Sequence, residues 1–186
     1  MKRFLKFIAY CVSFVGLATF SLWAVSALLE PEPVVSDHSS QGAVVRVYGA
    51  DVWGMRGHFA IHTWVATKTA DERNFTIAQV IGWRLRRHGT ALSVTTGNPN
   101  RPWFDSPPIL LHEITGEEAE ALVPKVRDAV RTYPYARTYT MWPGPNSNSF
   151  TQWIALQVPE LGLDLPVKAI GQSWMTENAA AVPVAD

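Results

Sequence analysis

The feature that most constrains this chain is a run from Phe7 to Leu29 without a single charged side chain. At about 1.5 Å rise per residue such a run reaches roughly 35 Å as a helix, and a hydrocarbon core is about 30 Å thick. Lys2, Arg3 and Lys6 precede it, and Glu30 and Glu32 follow it. Basic residues stay on the cytoplasmic side of a first span. The expectation is a cytoplasmic basic N-terminus over residues 1–6 and a single-pass transmembrane helix or signal-anchor over residues 7–29. That helix would sit in the inner (cell) membrane with the rest of the chain periplasmic. A cleaved signal peptide is the alternative, because Ala24-Val25-Ser26 offers a small-x-small site. An h-region is typically only about 7–15 residues, so the length favours an uncleaved anchor.

Cys11, the one cysteine, lies inside this run, and Tyr10 stands where a lipoprotein box needs a small residue. The remainder of the chain therefore has no disulfide and no cysteine metal site, and must be stabilised by its core. All 16 acidic residues lie at or after Glu30 and three of the 16 basic ones before it, which leaves the exported part with a charge of about −3. Nucleic acid rewards clustered positive charge, so it is not an expected partner.

Residues 30–41 mix Pro, Ser and charge without apolar periodicity and read as a linker. Residues 42–174 amount to one domain, and residues 175–186 are expected to form a disordered tail. Within the domain, residues 43–48, 58–67, 75–83, 91–95 and 109–114 are rich in Val, Ile, Thr and aromatics and are expected to be strands. The polar turn 69–74 predicts an antiparallel hairpin between the second and third. Thr115 and Glu118 have the spacing of a capping box, which predicts a helix from Glu117 to about Arg131, kinked or divided by Pro124. A second helix is expected to start at Asn146 and to stop at Pro159. Strands followed by helices define an α+β domain, an antiparallel sheet with helices on one side.

Two stretches carry candidate chemistry. In Gly57-His58-Phe59-Ala60-Ile61-His62-Thr63-Trp64, a strand period of two places His58 and His62 on one face. In Trp142-Pro143-Gly144-Pro145-Asn146-Ser147-Asn148-Ser149-Phe150, the turn residues precede a helix N-terminus. Unpaired N–H groups and the helix dipole there favour an oxyanion or a nucleophile at Ser147. Asn and Ser at this position also serve simply as caps. The two histidines lack an HExxH pattern or a nearby carboxylate at ligand spacing, so neither metal nor any other cofactor is expected. Arg84, Arg86, Arg87 and His88 read as a solvated strand end and turn. Most of the seven tryptophans after Glu30, among them Trp53, Trp64, Trp103 and Trp153, are expected in the core, with Trp142 at the ligand site.

A strand histidine followed much later by Asn-Cys-Asn-x-Phe at a helix N-terminus is the pattern of circularly permuted papain-like hydrolases, the NlpC/P60-related and PPPDE-like peptidases. Asn146-Ser147-Asn148-Ser149-Phe150 is similar to it. The resemblance implies that Ser147 is the nucleophile and His62 the base, with Ser in place of the family's Cys. A hydroxyl needs a well-oriented base, and Gln79, on the strand expected to pair with that of His62, is the candidate to orient it. A closer likeness covers nearly the whole domain. RVYGADVWGMRGHFAIHTW, VIGWRLRR, YPYARTYTMWPGPNSNSF and VPELGLDLP look like the uncharacterised bacterial family called domain of unknown function 3750. Two readings follow. One is a serine-variant hydrolase of amide or ester bonds with Ser147, His62 and Gln79 as its catalytic residues. The other is a non-catalytic module of the same fold, with Asn146, Asn148, His58 and Trp142 holding an envelope peptide, lipid or glycan. In either case the N-terminal helix makes the bilayer a partner.

Overall fold

The computed structural model describes residues 42–178. The expected anchor at Phe7–Leu29 and the linker after it lie outside the described residues. Among the described residues, no helix is long and apolar enough to cross a membrane.

Five strands, β1 (Val44–Asp51), β2 (Ile61–Lys68), β3 (Phe75–Val80), β4 (Leu92–Gly97) and β5 (Ile109–Thr115), form one antiparallel sheet in the order β4-β3-β2-β1-β5. Helices α1 (Arg84–His88), α2 (Gly116–Arg131), α3 (Ser147–Gln157) and α4 (Gln172–Asn178) complete the α+β fold. Alternation along the strands sends Val45, Val47, Ile61, Val65, Ala78 and Val80 to one face, where they pack with the apolar sides of α2 and α3. Val44, Tyr48, Ala50, Trp64, Ala66, Phe75 and Ile77 form a smaller buried cluster on the opposite face. Each large side chain buried in this way contributes roughly 1.5–3 kcal/mol.

Several expectations are corrected. The chain between β1 and β2 is not strand: Gly54–His58 is a 3-10 turn, and β2 starts only at Ile61. Gly57 permits that tight return, since a Cβ there would stand 2.6 Å from Val52 O. His58 is consequently exposed in the turn and does not share a strand face with His62. β3 ends at Val80, and the basic run from Arg84 forms α1, closed by Gly89 in the left-handed region at φ 68°.

The Thr115 capping box is absent. Thr115 is still the last residue of β5, paired with Val44, and its side chain makes no cap hydrogen bond. α2 passes through Pro124 undivided, because Glu120, whose carbonyl loses its donor, is on the exposed side. α4 carries ordered structure past Met175, which is fully buried in the main core, so the chain is helical as far as Asn178. Residues 179–186 lie outside the described residues.

Candidate functional site

Asn146 is the N-cap of α3, as its residue type dictates. Its Oδ1 accepts from the N–H groups of Asn148 (2.9 Å) and Ser149 (3.1 Å), and Ser149 Oγ meets the Asn146 N–H at 3.3 Å. The Asn146 Nδ2 donates to Met141 O and Ile170 O, both at 3.1 Å. Asn148 Nδ2 in turn donates to Ile61 O (3.0 Å) and Ile170 O (2.9 Å), while Thr63 Oγ1 donates to Asn148 Oδ1 (3.0 Å). Gly171, at φ 90°, makes room for this cap: a Cβ there would lie 2.3 Å from Asn146 Nδ2. Asn146 and Asn148 thus line the pocket, but their amide groups are committed to fastening α3 to β2 and to the 170–171 loop.

Ser147 is the first residue of α3 and is buried. With Asn148, Ser149 and Phe150 all bonded to Asn146, its own N–H is the donor of the first turn left without an acceptor among the described residues. Its Oγ makes no hydrogen bond to His62.

His62 is buried on the face of β2 opposite Thr63. Its ring lies flat on Trp103, with centroids 3.7 Å apart and 7° between planes, and Trp64 stacks more loosely at 5.9 Å. Nε2 stands 2.9 Å from Gln79 Oε1. An acceptor at that distance fixes the proton on Nε2 and leaves the lone pair on Nδ1. Burial lowers the imidazole pKa from 6.5 to about 4, with the Gln79 hydrogen bond partly opposing it. The ring is therefore neutral at pH 7. Trp103 is held over it by a two-residue turn: Trp103 and Ser106 exchange both backbone hydrogen bonds at 2.9 Å, and Phe104 and Asp105 take φ of 46° and 67°.

His62, Ser147, Asn146, Asn148 and Trp142 line one pocket of about 560 Å³. Gln79 stands behind His62 and does not reach it, and His58 lies away from it. Among the described residues, no group of three or more His, Cys, Asp or Glu is placed to share a metal ion. The sequence reading missed the aromatic wall. Trp53, Trp83 and Trp142 are 73%, 47% and 69% exposed, whereas Trp64 and Trp153 are buried as expected. The available signal was the setting of Trp103 and Phe104 in Asn-Pro-Asn-Arg-Pro-Trp-Phe-Asp-Ser-Pro-Pro, a loop composition without core periodicity, where aromatics are exceptional.

The fold and site define an α+β domain with an aromatic pocket between a strand histidine and a helix N-terminus. Residues 42–174 match the family described as protein of unknown function (DUF3750), and the chain belongs to it. No curated protein and no solved structure matches the chain.

Proposed function

We propose that this domain is a serine-variant hydrolase of papain-like design, cleaving an amide or ester bond at the periplasmic side of the inner membrane, where the run Phe7–Leu29 would hold it. The observation that carries this reading is that His62, paired with Gln79, lines the same pocket as Ser147. The 2.9 Å contact to Gln79 leaves Nδ1 as the basic nitrogen of a ring that shares its pocket with a serine at a helix N-terminus. In the reaction, Ser147 Oγ bonds to the carbonyl carbon and its proton passes to His62 Nδ1. The free Ser147 N–H donates to the oxyanion that forms. Collapse expels the alcohol or amine with the proton returned by His62, and water, deprotonated by the same nitrogen, releases the acid. Catalytic hydrogen bonds are often long without substrate, so the Ser147 to His62 bond would form in the substrate complex.

A second reading, a module that binds without cleaving, is favoured by two observations. Ser147 Oγ makes no hydrogen bond to His62, and an imidazole with a pKa of about 4 is a weak proton acceptor. A fluorophosphonate probe separates the two. The hydrolase reading expects covalent labelling of the wild-type protein, lost in Ser147→Ala and reduced by roughly 10²–10⁴-fold in rate in His62→Ala. Equal labelling of wild type and Ser147→Ala, or none in either, leaves the binding module.

A further inference from the structure

The pocket beside Ser147 has an unusual balance of groups. Among the described residues that line it, Arg56 is the one charged side chain and no carboxylate faces in. Of its polar groups, the Asn146 and Asn148 amides already donate to backbone carbonyls. Apart from Ser147, His62 and the Tyr139 hydroxyl, the remaining wall is aromatic or aliphatic, and it continues outward as an exposed rim that includes Trp53, Phe59, Phe104, Met141 and Trp142. Contiguous exposed apolar surface of this kind marks a binding site.

A glycan or a peptide brings many polar groups whose burial needs partners, and this wall offers few. An alkyl chain needs none. The volume of about 560 Å³ falls within the roughly 300–1,000 Å³ of small-molecule sites. Arg56 makes no ion pair among the described residues and reaches only Met141 Sδ at 3.6 Å, so its guanidinium at the rim is open to an anion.

We infer that the pocket takes a long acyl chain: the substrate class is an acyl ester or amide with an anionic head, its chain against Trp103 and Phe59 and its head at Arg56. The position of the carbonyl at Ser147 rests on the hydrolase reading; the acyl site itself does not. In the ester case Ser147 Oγ takes the acyl group, the alcohol leaves with the proton from His62, and water then frees the carboxylic acid.

The test uses the full-length protein in an amphipol and follows tryptophan fluorescence. Saturated carboxylates from hexanoate to palmitate should bind tighter by roughly threefold to fourfold per added methylene until the pocket is full. Ser147→Ala should keep that series, Trp142→Ala should weaken it, and Arg56→Gln should weaken the carboxylates more than the matching alcohols. Affinity that does not rise with chain length overturns the inference. Two presentations separate the sources of the chain: monomeric dibromostearate, and vesicles of dibromostearoyl phosphatidylglycerol. Measured in Trp23→Phe, which removes the tryptophan of the expected anchor, bromine quenching by either one supports the site and identifies the source, and quenching by neither overturns it. Chain-length-dependent binding without any ester hydrolysis defeats the hydrolase reading alone, whereas hydrolysis of an acetyl ester with a flat binding series defeats the acyl site alone.

Discussion

Tyr133 packs edge-on against Phe150, with centroids 5.0 Å apart, where α2 and α3 meet, and its ring is 4% exposed. Its hydroxyl is buried and has no hydrogen-bond partner among the described residues, and burial raises its pKa well above the ordinary value. An unpaired buried hydroxyl costs about 1–3 kcal/mol, and removing it keeps the ring contacts. Tyr133→Phe should therefore raise the unfolding free energy by about 1 kcal/mol in urea titrations. A fall of the same size would mean that the hydroxyl has a partner in solution. His62 presents the opposite case, a polar group buried with one nitrogen held by Gln79 and its ring covered by Trp103. Its pairing with Gln79 was legible from strand order alone, because β2 and β3 form a hairpin. Its partner Trp103 was not, since the approach depends on the left-handed turn at Phe104 and Asp105, which non-glycine residues seldom adopt.

At the scale of elements, the first turn of α3 is where local and tertiary demands coincide. The start at Asn146 and the stop before Pro159 could be read from the residues, because capping and the proline stop are local effects. The Thr115 cap could not, because β5 keeps that residue in the sheet. The 3-10 turn before β2 was equally hidden: Phe59 and His58 have strand-like chemistry, and only the close approach of Gly57 to Val52 O turns the chain there. What Asn146 does beyond capping can be measured. If it were only a cap, Asn146→Asp would be neutral or stabilising, since a carboxylate suits a helix N-terminus. Its Nδ2, however, faces the carbonyl oxygens of Met141 and Ile170, and an aspartate would set a negative oxygen against both. Both Asn146→Asp and Asn146→Ala should therefore lose on the order of 2–4 kcal/mol of stability, combining a lost cap or a repulsion with unmet carbonyls. A stable Asn146→Asp protein would reduce the residue to a cap.

Across the whole domain, the burial of His62 and the half-buried pair of Glu72 and Arg127 divide the acid response into two windows. For His62 the folded pKa, about 4, is below the ordinary 6.5. The unfolded chain therefore binds the extra proton first, and stability is full above pH 6.5 and falls as pH drops to about 4, by on the order of 3 kcal/mol. Glu72 is held down to about 2, chiefly by its hydrogen bonds from Arg127, at 3.0 and 2.6 Å, which tie the β2–β3 turn to α2. Its contribution is present above about pH 4.5 and is lost below, as pH falls towards 2. Both partners are about one-third exposed, so solvent screening holds this term to roughly 1 kcal/mol or less. Urea unfolding of the wild type from pH 7 to pH 3 should show the upper window clearly and the lower one weakly. His62→Gln, whatever its stability at pH 7, should flatten the slope between pH 6.5 and 4 relative to wild type, while Arg127→Ala should leave that slope intact and reduce the loss below pH 4.5. An unchanged upper slope in His62→Gln would show that the imidazole is solvated in the folded protein. An imidazole of ordinary basicity would also be the better proton acceptor for Ser147, so the same titration bears on stability and on the choice between the two readings of the site.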